Sequence, residues 1–306
     1  MNSSGVSSGT QANVRARVAA WRDLLERCGR KPTRRRVHAL RVVTLRIQAE
    51  LEHELIDLPR ASHQAQAMLR FGKLGERLRQ SLGQVRELDV WIGKLAALRT
   101  SLSEKTEYVP RSTRECVRQM ERLEDRLEKK RRSAGEKLAQ EIKKRRDDLI
   151  GAADAVDEAA GDRTRDPDGN GAAAILKEFA AVAAEFPAFD EENLHDFRKR
   201  IKKVRYLAEL HSDDAESTRI AAQIKKVQTA IGEWHDWQVL ARTARHGQHS
   251  RDAELAELLQ SLTEERFAEA VAACHGLTAR LLEPTTGARK PPTRNGHIAE
   301  SRKKLA

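Results

Sequence analysis

The sequence predicts an all-α protein, and its composition is the first indication. In the 306-residue chain, charged residues make up 34% and hydrophobic residues 39%, while aromatic residues reach only 4%. Glycine and proline are scarce, with 17 and 8 residues. Long amphipathic helices suit this composition better than a sheet does. Several stretches also place apolar residues at steps of three and four, which is the period of a helix with one buried side.

The N-terminal part of the chain predicts two helices in succession. Residues 1–11 are rich in serine and glycine and lack an apolar period, so we expect a disordered tail there. A first amphipathic helix begins at Val14 and ends near Gly29, since glycine suits a helix C-terminus. Pro32 restarts the chain, and a second helix is predicted over 33–58.

This second helix has one apolar side and one basic side. Its apolar side consists of Val37, Leu40, Thr44, Ile47 and Leu51. Its basic side carries Arg34, Arg35, His38, Arg41 and Arg46. A helical rotation of about 100° per residue separates the two sets.

A second basic helix, 194–211 (LHDFRKRIKKVRYLAELH), is more cationic on one face than helix stability explains. Its apolar stripe consists of Leu194, Phe197, Ile201, Val204 and Ala208. The adjoining side carries His195, Arg198, Lys199, Lys202, Lys203, Arg205 and Tyr206. Like charges four residues apart destabilise an isolated helix by about 0.2–0.5 kcal/mol per pair. A solvated face normally mixes signs, so this one indicates an anionic partner.

The remaining stretches divide the chain into halves. A charge-dense segment, 115–149, predicts an exposed helix or a coiled hairpin. The segment 161–171, GDRTRDPDGNG, is the clearest break, so we expect halves over about 12–160 and 172–283. A further amphipathic helix is predicted from Ala253 to Leu282. Prolines and glycine after it predict a flexible basic tail over 284–306.

The order of parts repeats between the two halves. Each basic helix contains His-x-x-Arg, at His38 and at His195. Each is followed by a helix and then by a matching stretch, LGQVREL at 82–88 and IGEWHDW at 231–237. The offsets between matching positions are 157 and 149 residues, a difference that loop lengths absorb. The sequence therefore indicates an internal duplication.

These paired helices and later stretches resemble the CHAD family, the conserved-histidine α-helical domain, over nearly the whole chain. The resemblance implies two pseudosymmetric four-helix bundles, a basic central groove and binding of inorganic polyphosphate. It does not imply a catalytic activity, and we expect binding without catalysis. HDFRKRIKKVRYLAEL followed by IGEWHD is the more specific part of the match. The first half departs from the family's basic pattern at Leu45 and Gln48, where such a helix often has further arginines.

Polyphosphate is a flexible chain of closely spaced negative charges, which suits repeated basic side chains on adjacent helices. Arginine can donate two parallel hydrogen bonds to a phosphate, and lysine supplies a mobile point charge. Histidine donates from both ring nitrogens only when it is protonated, which a bound anion favours. The predicted contacts are Arg34, Arg35, His38, Arg41, Arg46, His195, Arg198, Lys199, Lys202, Lys203, Arg205, Tyr206 and His235.

Two other classes of function remain open at this stage. A non-specific nucleic-acid-binding protein would also present a basic surface, and Trp234 and Trp237 could stack on bases. Two tryptophans three residues apart more often pack into a core, which is the interpretation we favour. Asp236 could orient a neighbouring basic group or be a surface charge. A helical phosphohydrolase or scaffold is the third possibility.

The motifs of common enzymes and metal sites are missing from the sequence. It contains no Walker GxxxxGK[ST] or HExxH, and its one GxSxG, Gly5–Gly9, lies in the Ser/Gly-rich segment. His246 and His249 are three residues apart without an evident third ligand, so we predict no metal and no cofactor.

The remaining expectations concern location and redox state. Cys28, Cys116 and Cys274 lack CxxC spacing and are expected to be small buried thiols. No apolar run is long enough for a bilayer, and the first ten residues do not resemble a signal peptide. We therefore expect a cytoplasmic protein whose partner is inorganic polyphosphate, free or in granules. The sequence leaves its oligomeric state open.

Overall fold

The structure is a computed structural model that describes residues 8–56, 58–104, 111–159, 171–211, 214–246 and 253–282. Within these ranges the regular structure is entirely α-helical, which confirms the predicted fold class. The helices are α1 (Ser8–Arg30), α2 (Arg34–Glu54), α3 (His63–Glu104), α4 (Arg111–Lys144), α5 (Arg146–Ala159), α6 (Gly171–Ala184), α7 (Leu194–Leu210), α8 (Ala215–His246) and α9 (Ala253–Leu282).

Several element boundaries differ from the sequence prediction, and α2 ends at Glu54 and not near residue 58. Helix α1 begins at Ser8, so residues 8–11 are helical and not part of a tail. Adding residues to an existing helix costs far less than starting one, which explains this extension beyond the apolar period. The predicted helix 115–149 is two helices, because α4 ends at Lys144 and α5 begins two residues later. The predicted tail 284–306 and all but Gly171 of the linker 161–171 lie outside the described residues, as do residues 1–7.

The first core lies among α1, α2, α3, α5 and the C-terminal part of α4. Trp21 of α1 is fully buried, with its ring centroid 5.3 Å from that of Phe71 on α3. Its indole Nε1 donates a hydrogen bond of 2.9 Å to Oγ1 of Thr44 on α2. Leu138 of α4 and Val156 of α5 complete the same cluster. Two successive helices, α4 and α5, thus complete this first core.

The second core lies among α6, α7, α8 and α9. It contains Phe179 of α6, Phe197 of α7, Trp234 of α8 and Cys274 of α9, all fully buried. The predicted apolar stripe of α7 is buried throughout its length. This burial fixes the rotation of α7 and so decides which of its basic side chains face the rest of the molecule.

A third core connects the two bundles. The C-terminal part of α3 and the N-terminal part of α4 pack there against the C-terminal part of α8 and the N-terminal part of α9. Each of the four helices contributes at least one fully buried residue, among them Leu95, Met120, Leu240 and Leu259. This packing holds α3 beside α8, and it brings the basic helices of the two halves to the same region.

Replacing Thr44 with valine is expected to lower the free energy of unfolding by about 1–3 kcal/mol, because the buried Trp21 N–H loses its acceptor. Urea unfolding measures this change. Thr229→Val is the matched control. The hydroxyl of each threonine donates to the backbone carbonyl four residues earlier, but Thr229 is exposed and Thr44 is buried. Equal destabilisation by the two substitutions would show that the bond to Trp21 contributes nothing.

Candidate functional site

The basic side of α7 adjoins its buried stripe. His195, Arg198, Lys202, Arg205 and Tyr206 are half-buried there, because they flank the residues that enter the core. Lys199 and Lys203, on the same basic side, are exposed. The basic side predicted from the sequence is therefore divided into two parts. One part is half-buried beside the core, and the other, Lys199 and Lys203, is exposed to solvent.

Basic side chains of the two halves meet between α2, α3 and α7. The positive charges of Arg79 on α3 and Arg198 on α7 both lower the pKa of Arg41 on α2, after burial, which is the larger cause. Arg86 of α3 contributes to the same effect. We call this set the interhelical cationic cluster; its members are Arg41, Arg79, Arg86, Arg198, Lys202 and Arg205.

Lys202 lies inside this cluster and reports its electrostatic potential. Burial lowers the pKa of its ammonium to about 8, and the charges of Arg79, Arg41, Arg198 and Arg205 contribute in that order. Two of these four arginines come from the first half of the chain. In the free protein the ammonium of Lys202 therefore loses its proton more readily than usual. A bound anion would offset the repulsion between Lys202 and the four arginines.

Several donors in and beside the cluster have no acceptor among the described residues. Nε of Arg41, Arg79 and Arg205 is buried without a hydrogen-bond partner, as is Nδ1 of His195. Buried polar groups are normally satisfied, and a buried charge usually has a counter-ion. Arg22 and Arg99, outside the cluster, also have an unpaired Nε, but three such nitrogens lie together here, where an anionic ligand could accept from them.

Four carboxylates border the six cations of the cluster: Glu76, which pairs with Arg79 at 3.8 Å, Glu87, Asp236 and Glu209. Burial raises the pKa of Glu87 on α3, against the charge of Arg41, which lowers it. Burial likewise raises the pKa of Asp236 on α8, which the charges of Lys94, Arg86 and Arg198 oppose. Glu209 pairs with Arg205 one turn away. Burial lowers the pKa of Arg198, and the charge of Asp236 opposes that shift, while an orienting role for Asp236 stays a prediction.

Tyr206 forms an aromatic support for two cations of the cluster. The guanidinium carbon of Arg205 lies 4.6 Å from its ring centroid, and Nζ of Lys202 lies 5.4 Å from it. Such cation–π contacts restrict otherwise mobile basic side chains. Arg198 is held differently, because its guanidinium lies against Gly232 of α8, where a Cβ would be 3.6 Å from one terminal nitrogen.

The histidines have environments that favour the neutral imidazole. The ring centroids of His195 and His235 are 5.0 Å apart, and burial with the charges of His195, Arg198 and Arg242 lowers the pKa of His235 to about 4. Burial and then the charges of Lys199 and Arg198 lower the pKa of His195. For the exposed His38, partial desolvation and then Arg86 and Arg41 lower the imidazole pKa.

Other predicted contact residues lie outside the cluster. The guanidinium of Arg34 covers Gly93 of α3, and Lys199 pairs with Asp196 at 3.0 Å. Arg35 and Lys203 are exposed without a hydrogen bond or ion pair to a described residue. Arg46 is also exposed, and its charge acts on Arg17 of α1. These residues form the outer rim of the basic region.

The two departures from the basic pattern have visible consequences. Gln48 donates from Nε2 to the carbonyl of Gly72 on α3 at 2.9 Å, so its side chain is committed to helix packing. Leu45 is half-buried and apolar. In the cluster, α2 therefore contributes one cation, Arg41, whereas α7 contributes Arg198, Lys202 and Arg205.

Arg79 and Arg86 of α3 are the cluster members that sequence reasoning missed. A signal for Arg86 was present, because the 149-residue offset between the matching stretches places Arg86 opposite His235. The same offset places Glu87 opposite Asp236. Arg79 has no such signal, since its counterpart is Gln228.

Trp234 and Trp237 differ in their environment. Trp234 is fully buried in the second core, as expected. Trp237 is partly buried against the third core, and Nζ of Lys94 lies 4.9 Å from its ring centroid. No group of three or more metal-ligating side chains is found among the described residues.

Comparison with protein families decides the relationship. The CHAD domain model matches residues 12–245, which is more than half of the chain. The chain belongs to the CHAD family. The matched region contains both basic helices and all six members of the cationic cluster. No curated protein matches the chain.

A solved structure of similar fold is found as well. PptA from Streptomyces chartreusis aligns with a TM-score of 0.58 at 15% identity, covering 89% of this chain and 98% of that one. At this identity the likeness concerns the fold alone. Within the described part of the chain, no helix is long and apolar enough to cross a membrane.

Polyanion affinity is expected to fall as the pH rises through about 8, the pKa of Lys202 in the free protein. A bound polyanion stabilises the ammonium, so binding takes up a proton above that pKa and becomes weaker there. Titration of the protein at several pH values between about 7 and 9 measures this slope. Lys202→Arg should flatten it, because a guanidinium stays charged. Equal slopes for the two proteins would exclude Lys202 as the titrating group.

Proposed function

We propose that this CHAD protein binds inorganic polyphosphate, without catalysis, in the groove between its two halves. The cationic cluster is the binding surface, with His38, His195 and His235 as neutral donors beside it. Exposed basic residues at the rim extend it: Arg34, Arg35, Arg46, Lys199 and Lys203. We place the protein in the cytoplasm, where polyphosphate occurs free or in granules.

The meeting of Arg41 with Arg198 and Lys202 is the single observation that carries the proposal. These residues come from different halves, so the concentrated charge arises only in the folded protein. Mutual repulsion lowers the stability of such a cluster unless a ligand neutralises it. The buried, unsatisfied guanidinium nitrogens supply the donors that successive phosphates require.

Features of the site favour polyphosphate over nucleic acid. The aromatic side chains that could stack on bases are largely used elsewhere, since Trp234 is buried and Tyr206 supports two cations. The groove is lined by charge and by half-buried donors, which suits a bare chain of phosphates. A single-stranded nucleic acid would normally find a stacking platform beside its basic track.

Competition between polyanions tests the proposal. Long-chain polyphosphate should bind more tightly than phosphate, pyrophosphate or duplex DNA at equal charge concentration, and it should remain preferred through a salt titration. Fluorescence anisotropy with labelled polyphosphate measures each displacement. If DNA displaces polyphosphate on equal terms at every salt concentration, the surface is a general polyanion site.

No phosphate should be released when the protein is incubated with polyphosphate or a nucleoside triphosphate and Mg²⁺, beyond a heat-treated control. Phosphate assay over several hours measures this. Turnover would overturn the non-catalytic part of the proposal. Turnover lost in His195→Ala with binding preserved would assign that imidazole a role in acid–base catalysis.

A further inference from the structure

A second basic surface lies on α4, outside the groove. From residue 129 to residue 144, its exposed face carries Lys129, Lys130, Arg132, Lys137, Lys143 and Lys144. Glu136 is the single exposed acidic residue in that span. None of the six cations makes a hydrogen bond or ion pair with another described residue. We call these six residues the α4 basic face.

Ordinary solvation of a helix surface does not account for this face. The N-terminal half of the same helix shows what ordinary solvation looks like, because Glu115 there pairs with Arg118 at 2.7 Å and with Arg122 at 3.3 Å. The helix dipole favours cations only within the last turn, which covers Lys143 and Lys144. It does not explain the four cations between Lys129 and Lys137.

The α4 basic face is connected to the rim of the groove through the turn before α2. Arg131 donates from Nη2 to the carbonyl of Pro32 at 2.5 Å and from Nε to Asp89 of α3 at 2.9 Å. A Cβ at Gly135 would lie 3.4 Å from the Pro32 ring, so α4 packs closely on this turn. The first turn of α2 follows, with the exposed Arg34 and Arg35.

The order of these elements defines a path of basic residues. From the cluster it follows His38, Arg35 and Arg34 along α2 to the turn at Pro32, on which α4 packs, and Arg132 is the next residue of α4 after Arg131. The groove helix α7 has 17 residues and is about 26 Å long, at about 1.5 Å per residue. A polyphosphate chain longer than this must leave the groove, and this path offers it further cations.

Resting on the proposed function, we infer that the α4 basic face is a second track for polyphosphate, which long chains occupy and short chains do not reach. The face therefore makes affinity depend on chain length. The affinity for short chains measures binding in the groove alone. The additional affinity for long chains measures binding to the α4 basic face.

The test compares a short and a long polyphosphate on the full chain. In Lys129→Gln/Arg132→Gln/Lys137→Gln, affinity for the long chain should fall about tenfold, and the salt slope of log K for that chain should decrease by about 2, since three fewer cations release counterions. Affinity for the short chain should stay at the wild-type value. The matched control removes three exposed lysines from other helices, Lys73→Gln/Lys177→Gln/Lys226→Gln, and should bind both chains like the wild type.

The outcomes separate this inference from the proposed function. If the α4 variant binds long chains like the wild type, the second track is wrong while the groove stands. If it loses short and long chains equally, the α4 basic face is the main binding surface, and both the second track and the groove are wrong. If the wild-type protein binds neither chain, both proposals are wrong. Loss of duplex DNA binding in the α4 variant, with polyphosphate binding unchanged, would make the face a nucleic-acid surface. A thermal melt of each variant confirms that it is folded.

Discussion

Replacing Arg198 and Lys202 together with alanine is expected to weaken polyphosphate binding about 100-fold, since each charged hydrogen bond contributes about 1.5 kcal/mol or more. Both side chains are half-buried in the cationic cluster, and Arg198 lies against α8. The salt slope should also decrease by about 1.4 for two lost phosphate contacts. Isothermal titration at several salt concentrations measures both quantities.

The same double substitution should leave the fold intact. In the free protein Lys202 is repelled by four arginines, and the lowered pKa shows that the folded state disfavours its charge. Removing it relieves that repulsion, which opposes the loss of side-chain packing, so the melting temperature should change little. Lys177→Ala/Lys226→Ala is the control, because it removes two exposed charges from the same half. Equal loss of binding in the control would mean that net charge alone decides affinity.

Arg41→Ala is expected to weaken binding at least tenfold, although Arg41 belongs to the other half of the chain. Its Nε is buried without a partner, and its guanidinium interacts electrostatically with Arg198 and Arg79. One charged hydrogen bond to phosphate contributes about 1.5–3 kcal/mol, or about 10- to 100-fold. Displacement of labelled polyphosphate measures the change.

Gln48→Ala is the control for Arg41, because it lies on the same helix and donates to Gly72 of α3. Affinity should be unchanged in this variant, while the free energy of unfolding decreases slightly. If Arg41→Ala behaves like Gln48→Ala in binding, α2 contributes no contact to the site. A groove lined by α2 as well as α7 would then be wrong.

The helices were predictable from the sequence because amphipathic periods are local. The bounds of α9 agree with the prediction from Ala253 to Leu282, and α7 ends one residue before the predicted end. The stripe of α7 enters the core as its spacing indicates. The break between α4 and α5 was missed, because the charge pattern continues through Arg145 without a proline or glycine.

The composition of the cluster depends on tertiary packing and was only partly predictable. Arg41 and Arg198 could be predicted because each lies beside the apolar stripe of its own helix, and the helical period alone gives that position. Arg79 could not, since α3 packs in the first core at one end and in the third core at the other. Its buried positions therefore follow no single stripe that would show which arginine faces α7.

The central claim is that the folded groove, and not the basic C-terminal segment, binds polyphosphate. Residues 284–306 carry six lysines and arginines against one glutamate, which makes them the competing explanation. One comparison decides between them: the polyphosphate affinity of the chain ended after Glu283 and that of full-length Arg41→Ala/Arg198→Ala. We predict that the shortened chain keeps most of its affinity and that the double variant loses it. Loss of binding in the shortened chain, with the double variant binding like the wild type, would contradict the account.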